Sequence, residues 1–304
     1  MTTDSFQQED LIDCFQSKQK ILGQLVEQRL EEYCRNKEGC PEVLSEAIRH
    51  SLLAGGKRLR PLLVMLAAEA CGESAESALP AACAVEMIHT YSLIHDDLPA
   101  MDDDDMRRGQ PSCHKKFGEA NAILAGDALL AQAFEVLSTD LPPEVAAACC
   151  RELAMAAGAQ NMVGGQVDDL EAENNLELNA EDLEGIHRRK TGAMIRVSLR
   201  MGALVAKKDS ELLRKLSFFG EKIGLAFQIV DDLLDFSGDA TKIGKSLGKD
   251  EQSQKLTYVR LFGAEESRKK AEKLIGESIE IANVFGESGK PLIGLAQFIL
   301  NRNF

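Results

Sequence analysis

Two short groups of aspartates carry most of the chemistry that this sequence can support. The first contains Asp96, Asp97 and Asp102, and the second contains Asp231 and Asp235. Each group follows an apolar stretch with helical periodicity, where an uncompensated carboxylate is costly. Two carboxylates about 4 Å apart repel by about 4 kcal/mol at an effective dielectric of 20, so cations have to balance them. The two groups together predict a divalent metal site, and magnesium held by few carboxylates is typical of sites that bind phosphorylated substrates.

The spacing of the aspartates separates this hypothesis from simpler ones. A run of aspartates is often a solvated turn, but the apolar helix before Asp96 and Asp97 indicates that this run starts inside the molecule, at a helix end whose dipole disfavours negative charge. Asp231 and Asp235 stand at i and i+4 on one helical face, and Asp232 lies beside them. An EF-hand loop needs alternating aspartates, a glycine and a glutamate at the twelfth position, which the first group lacks.

Four basic groups accompany the aspartates and suit phosphate oxygens. Any one of them is more often a solvated charge patch. Two of them adjoin the aspartate groups, and the first feeds a helix N-terminus, so together they predict clamps for diphosphate. The four groups are Gly55–Pro61, Arg107–Gly109, Arg188–Gly192 and Gly244–Asp250.

Other common sites are not supported by the residues. The segment ending in Gly244, Lys245 and Ser246 resembles the end of a nucleotide-binding loop, but the pattern requires glycine where Asp239 stands, and no strand precedes it. The zinc motif HExxH and the nucleophile motif GxSxG are both missing. His89 is either a buried helix histidine that donates one hydrogen bond or an anion ligand.

Composition restricts the partners of the chain. Its 304 residues are 44% hydrophobic and 28% charged, which is typical of soluble globular proteins. Because 49 acidic residues outnumber 35 basic ones, the net charge of −14 disfavours nucleic acid or an anionic membrane as the main partner. The N-terminus lacks a signal-peptide apolar region, and no apolar run reaches about 18 residues. We therefore expect a cytoplasmic protein without stable membrane insertion, whose eight cysteines are mostly buried, reduced thiols.

Apolar residues at i, i+3, i+4 and i+7 predict an all-α fold. Alternating stretches long enough for a sheet are missing, and no linker divides the chain. We expect a single domain over 1–304, with about ten helices, an N-terminal helix in 1–40 and the catalytic core in 41–304. The predicted helices of the core are 42–53, 61–71, 78–95, 119–137, 144–163, 181–205, 209–236, 264–284 and 291–301.

Five motifs in fixed order resemble the trans-isoprenyl diphosphate synthases, and are most similar to the bacterial farnesyl diphosphate synthases. They are GGKRLRP, IHDDLPAMDDDDMRRG, RRKTGAM, FQIVDDLLD and GKSLGKD. The similarity runs from about residue 40 to the C-terminus. The resemblance implies an isoprenoid-synthase-type bundle of helices around a deep central cavity, assembled as a homodimer.

The resemblance also implies a role for each matching residue. Three Mg²⁺ ions are expected on the diphosphate of an allylic substrate, held by the two aspartate motifs, which comprise Asp96, Asp97, Asp102, Asp231, Asp232 and Asp235. The allylic substrate is expected to contact Arg107, Lys190, Thr191, Gln228, Lys245 and Lys249. Isopentenyl diphosphate is expected to contact Lys57, Arg60, His89 and Arg108.

The implied reaction joins isopentenyl diphosphate to dimethylallyl or geranyl diphosphate. In this family the residues five and four places before the first aspartate help to form the pocket floor, and here they are Tyr91 and Ser92. Five helical residues span about 7.5 Å, so an aromatic ring at 91 lies well below the metals. It resembles the enzymes that stop at fifteen carbons, farnesyl diphosphate. The alternative product is geranylgeranyl diphosphate, with twenty carbons, because related synthases share the aspartate spacing.

Two other functions use similar residues. A terpene cyclase also ionises a prenyl diphosphate, but it typically replaces the second aspartate motif and has no use for the GGKRLR group. A non-catalytic subunit would keep the fold with degraded motifs, whereas every metal and diphosphate position matches here. The sequence therefore favours an active prenyltransferase.

Overall fold

The computed structural model describes residues 3–35, 38–172, 179–237 and 257–301, which are almost entirely helical. The α-helices are α1 (Thr3–Tyr33), α2 (Glu42–Leu52), α3 (Leu59–Ala70), α4 (Leu79–Asp96), α5 (Cys113–Phe117), α6 (Glu119–Asp140), α7 (Pro143–Ala157), α8 (Met162–Ala172), α9 (Ala180–His187), α10 (Ala193–Val205), α11 (Ser210–Ser237), α12 (Tyr258–Ala282) and α13 (Lys290–Leu300). Short 3₁₀ segments at Glu76–Ala78 and Asn283–Gly289 precede α4 and α13, and a π-helical turn at Arg188–Gly192 joins α9 to α10.

The predicted all-α fold is confirmed, with local differences. Two-residue strands β1 (Met106–Arg107) and β2 (Gln110–Pro111) form an antiparallel pair, which is too short to give an alternating sequence pattern. The predicted helix 144–163 ends at Ala157, because Gly158 takes an extended conformation, and α8 begins four residues later.

The core forms where α3 and α4 are covered by other helices. Both are buried on nearly all sides, α3 from Pro61 to Ala68 and α4 from Leu79 to Ile88. The N-terminal helix α1 belongs to this core, since the rings of Phe15 and Phe298 on α13 lie 5.3 Å apart. Helix α10 approaches α3 so closely that a Cβ at Gly202 would lie 2.2 Å from the Val64 carbonyl oxygen. This packing holds the apolar ends of α4 and α11 inside the molecule, where the aspartates emerge.

Helix α6 is unusually apolar for its position. Among the described residues it is the helix long and apolar enough, by length and composition alone, to cross a membrane. It packs against α2, α4, α5 and α7, as a core helix of a soluble protein does. Fewer than half of the residues in its most apolar stretch are buried, and Ile123 and Leu124 are exposed. The helix therefore has one packed face and one uncovered apolar face.

A buried carboxylate on α4 contacts two of the basic groups. Glu86 on α4 is 1% exposed and accepts a hydrogen bond from Nη1 of Arg58 at 2.6 Å. The same guanidinium donates through Nε to Glu27 on α1 at 2.7 Å and through Nη2 to the Leu52 carbonyl at 2.7 Å. Nη2 of Arg108 lies 3.7 Å from the Glu86 carboxylate. One buried negative charge thus holds two loops against α4.

These contacts require unusual backbone conformations on both loops. Arg58 has φ 46° and Arg108 has φ 52°, both in the left-handed region that side chains rarely adopt. Gly56 has φ 123°, and a Cβ at that position would lie 2.9 Å from the guanidinium carbon of Arg108. The glycine is therefore needed both for its conformation and for the space that Arg108 occupies.

Replacing Glu86 with glutamine should lower the free energy of unfolding by about 3 kcal/mol, because it removes the buried negative charge that Arg58 and Arg108 share and leaves Glu27 alone to pair with Arg58, while keeping the side-chain shape. Urea denaturation of purified protein measures the change. The control is Glu211→Gln, which breaks an exposed pair with Lys215 and should cost at most about 0.5 kcal/mol. Equal losses in the two variants would contradict a structural role for Glu86.

Candidate functional site

Asp96 is the last residue of α4 and lies partly buried in a crowded electrostatic environment. Burial raises the pKa of its carboxyl group to about 6. The negative charges of Asp102 and Asp97 add to this rise, whereas the positive charges of Lys190 and Arg107 oppose it. The backbone N–H of Asp102 donates to the Asp96 carbonyl at 2.8 Å, which folds the loop back over the helix end. The structure thus brings Lys190, from a distant part of the chain, close to the first aspartate group.

Asp97 is buried and held by Arg107. Nε of Arg107 donates to Oδ1 at 3.0 Å and Nη2 donates to the same oxygen, while Nη2 also reaches Asp104 at 3.2 Å. Oδ2 of Asp97 accepts only a longer hydrogen bond from Nε, at 3.3 Å, within the described residues. A carboxylate offers about four lone-pair sites, so Asp97 can serve both Arg107 and a further ligand.

A further group with metal-ligand chemistry lies in the loop after Asp102, and the sequence hypothesis did not include it. Ligand atoms of Asp103, Asp105 and His114 lie within 4.8 Å of one another. Lys115 pairs with Asp105 at 2.8 Å, and the Ser112 hydroxyl lies 3.1 Å from Nδ1 of His114. Part of the charge of this group is therefore already balanced by protein atoms.

Two of the residues predicted for isopentenyl diphosphate, Arg60 and Arg108, lie near the Glu86 carboxylate. Burial lowers the pKa of Arg60, in the first turn of α3, while the charges of Glu86 and Asp231 oppose that effect. Nε of Arg60 is buried and has no hydrogen-bond partner in the described part of the chain, which fits a site for an external anion. Arg108 donates to the Gly55 carbonyl at 2.5 Å.

His89 and Lys57 complete this predicted set. Burial lowers the pKa of His89 well below its usual range, and the positive charges of Arg60 and Arg108 lower it further. The imidazole is therefore neutral near pH 7 and can donate one hydrogen bond. Lys57 is exposed in the loop before α3.

Lys190 and Thr191 lie in the π-helical turn between α9 and α10. Nζ of Lys190 donates to Asp169 on α8 at 2.7 Å. Gly165 allows α8 to approach, since a Cβ there would lie 2.4 Å from the Lys190 backbone nitrogen. Turns of this kind are rare and often occur at functional sites, because they change the direction of carbonyl groups and side chains. Thr191 is partly buried in the same turn.

The second aspartate group lies on α11 with Gln228. Gln228, Asp231, Asp232 and Asp235 are all partly buried. The charge of Asp231 acts on Arg60, which places the second aspartate group near the guanidinium cluster. Oδ2 of Asp232 accepts the backbone N–H of Tyr258 at 2.8 Å, so this carboxylate also holds the start of α12. The remaining predicted contacts, Lys245 and Lys249, lie outside the described residues.

Tyr91 and Ser92, the two residues predicted to form the pocket floor, make different contacts. Tyr91 is buried, and its ring meets that of His95 edge-on at 5.7 Å. Burial raises the pKa of Tyr91 to about 12, and the charge of Asp96 adds to the rise. Nε2 of His95 lies 3.1 Å from the Ile123 carbonyl on α6, which fixes the ring against that helix. Ser92 donates to the His89 carbonyl at 2.9 Å.

Three residues around the site were missed by sequence reasoning. Arg58 belongs to the same basic group as Arg60, and only its burial against Glu86 distinguishes the two. Asp169, the partner of Lys190, stands in an ordinary helical pattern next to Asp168. Tyr258 belongs to none of the sequence motifs, and only its contact with Asp232 in the structure connects it with the site.

Comparisons with known proteins identify the family of the chain. The polyprenyl synthetase family model matches residues 41–286. A farnesyl diphosphate synthase of Geobacillus stearothermophilus is 48% identical over 262 residues, covering 84% of this chain and 86% of that protein. A geranylgeranyl diphosphate synthase of Cyanophora paradoxa is 46% identical over 268 residues, covering 87% and 89%.

A solved structure gives the same result for the fold. The apo structure of an FPP/GFPP synthase from Zymomonas mobilis has a TM-score of 0.86 and 36% identity, and covers 95% of this chain and 99% of its own. The match to the family model covers most of the chain, and both relatives exceed 45% identity. The chain therefore belongs to the polyprenyl synthetase family and is a trans-prenyl diphosphate synthase.

Proposed function

We propose that the protein catalyses the Mg²⁺-dependent, head-to-tail condensation of isopentenyl diphosphate with dimethylallyl and geranyl diphosphate, giving (2E,6E)-farnesyl diphosphate for isoprenoid biosynthesis. One observation carries the proposal: charged groups from four distant elements act on one another. Lys190 acts on Asp96 from the π-helical turn, and Asp231 acts on Arg60 from α11. Such a site can bind two diphosphates side by side.

Magnesium fits the donor set of the aspartate groups. Asp96, Asp102, Asp231 and Asp235 offer hard oxygen ligands, and Asp97 retains Oδ2 for a further ligand. Burial raises the pKa of Asp96, so a metal ion bound there would favour the charged carboxylate that the protein surroundings disfavour. When bound, the ions, of which we expect three, supply positive charge that stabilises the leaving diphosphate.

The allylic substrate lies between the aspartate groups and the π-helical turn. Arg107, Lys190, Lys245 and Lys249 contact its diphosphate, which leaves with the electron pair of the allylic C–O bond. The allylic cation that remains needs a site without water, because water would trap it as an alcohol. The Lys190 carbonyl and the dipoles of Thr191 and Gln228 stabilise this cation without forming a bond to it.

Isopentenyl diphosphate lies against the guanidinium cluster. Arg60 and Arg108 are permanently charged, and with Lys57 they neutralise its diphosphate without a metal. Neutral His89 donates a hydrogen bond to the same group. The double bond of isopentenyl diphosphate attacks the allylic carbon, and the released diphosphate accepts the proton that leaves the new cation.

The product length depends on Tyr91. Its ring is buried against His95, and its position five residues before Asp96 sets it about 7.5 Å along α4 from that aspartate, well below the expected metals. This ring supports a stop at fifteen carbons. The alternative is geranylgeranyl diphosphate, and relatives that bear either name have similar identity to this chain.

The uncovered face of α6 supports a homodimer. Ile123 and Leu124 are 44% and 55% exposed on a helix whose other face is packed, and a second copy of this chain is the partner we propose. The net charge of −14 disfavours nucleic acid as a ligand, whereas the clustered basic groups support small phosphorylated substrates. We also propose a cytoplasmic location, and a single catalytic domain in which α1 is part of the core.

Purified protein incubated with Mg²⁺, isopentenyl diphosphate and each allylic starter should give farnesyl diphosphate, detected by mass spectrometry. Asp96→Ala and Asp231→Ala should each lower kcat by a factor of at least about 100, since each removes a ligand of the ions that stabilise the charge developing on the leaving diphosphate in the transition state. Asp13→Ala, which removes an exposed carboxylate on α1, is the control and should keep normal turnover.

Two results would contradict the proposal at different levels. If no starter gives a condensation product, the enzyme activity itself is wrong. If Asp96→Ala or Asp231→Ala retains turnover close to that of Asp13→Ala, the activity stands but the assignment of metal ligands is wrong.

Replacing Tyr91 with alanine should shift the main product from fifteen to twenty or more carbons, because it removes the ring that blocks the growing chain. Product length is read by mass spectrometry in the same assay. Tyr33→Ala is the matched control, since Tyr33 contacts Asp140 at the far end of α6 and should leave product length unchanged. An unchanged product length in Tyr91→Ala would show that Tyr91 does not form the pocket floor.

A further inference from the structure

Tyr258, the first residue of α12, makes three specific contacts from a nearly inaccessible position. The residue is 1% exposed. Its backbone N–H donates to Oδ2 of Asp232 on α11 at 2.8 Å, and its hydroxyl donates to Oε1 of Glu184 on α9 at 2.6 Å. Its ring stacks on His187, with centroids 6.0 Å apart and planes 14° apart. One residue therefore contacts two separate elements of the site.

Each of these contacts lies next to residues that bind the allylic substrate in the proposed function. Asp232 stands between Asp231 and Asp235 in the second aspartate group. His187 is the last residue of α9 and directly precedes the π-helical turn with Lys190. A shift of the Tyr258 ring would therefore move the turn relative to the aspartates on α11.

The partners of Tyr258 are themselves held in place. Nζ of Lys270 donates to the same oxygen of Glu184 at 3.1 Å, so this carboxylate is fixed from α12 as well. The Thr257 hydroxyl accepts the backbone N–H of Arg260 and caps the start of the helix. The Tyr258 hydroxyl, already donated to Glu184, is poorly suited to act as a proton donor in the reaction.

We propose that Tyr258 is a positioning residue, which fixes the Lys190–Thr191 turn relative to the Asp231–Asp235 face of α11 and so sets the geometry of the allylic diphosphate site. The inference rests on the proposed function and extends it. Small displacements of substrate-positioning groups cost large factors in rate. The isopentenyl site, which is built on α3, α4 and the Arg108 loop, does not depend on this contact.

The test is Tyr258→Phe, which removes the hydroxyl and keeps the ring and the backbone N–H. We expect kcat to fall about tenfold and the KM for geranyl diphosphate to rise about tenfold, with the KM for isopentenyl diphosphate unchanged. Glu184→Ala should give the same pattern, whereas Glu184→Gln keeps an acceptor and should restore most of the activity. Tyr33→Phe is the matched control, because it removes a hydroxyl that donates to a carboxylate, Asp140 at 2.5 Å, away from the site.

The outcomes separate this inference from the function on which it rests. An inactive wild-type protein overturns the proposed function and the inference together. With an active wild type, unchanged kinetics in Tyr258→Phe overturn the inference alone. Equal changes in the two KM values, or a loss of thermal stability without a KM difference, also overturn it. If Tyr258→Phe does not fold, Glu184→Ala and Glu184→Gln decide the question by the same KM comparison.

Discussion

The site depends on a buried negative charge, Glu86, inside an otherwise apolar helix. A carboxylate in that position is stable only when it is paired and fully hydrogen-bonded. Arg58 and Arg108 supply the pairing, and both adopt left-handed backbone conformations to do so. The same contacts hold the two basic loops beside α4, and Arg60 lies close enough for the Glu86 charge to act on its pKa. A structural requirement of the core thus creates a cluster of guanidinium groups that fits a diphosphate.

At the first aspartate group, carboxylates rather than guanidinium groups lie close together. Asp96 lies partly buried at the end of α4, where burial raises the pKa of its carboxyl group and the charges of Asp102 and Asp97 add to the rise. Carboxylates are gathered there, whereas guanidinium groups are gathered around Glu86. In the proposed function, one diphosphate therefore binds through metal ions and the other through protein cations. On the proposed function, this division would direct two anions of similar charge to different places.

Sequence reasoning predicted the all-α fold and proposed the residues of the site, because amphipathic periodicity and the spacing of aspartates are local properties of the chain. It could not separate Arg58 from Arg60, since adjacent cations in one motif differ only in what they contact after folding. The π-helical turn at Lys190 and the two-residue hairpin beside Arg107 depend on neighbouring elements rather than on local pattern. Tyr258 lacks any motif, and its importance arises entirely from tertiary contacts with Glu184 and Asp232.

The division between metal-bound and protein-bound diphosphate is best tested by calorimetric titration of the wild-type protein. Isopentenyl diphosphate and an unreactive allylic thiolodiphosphate are each titrated with Mg²⁺ and then with a chelator present. The account predicts that isopentenyl diphosphate binds with nearly the same affinity in both conditions, whereas the allylic analogue binds measurably only with Mg²⁺. Equal dependence of both ligands on Mg²⁺, or tight binding of the allylic analogue without it, would contradict the account.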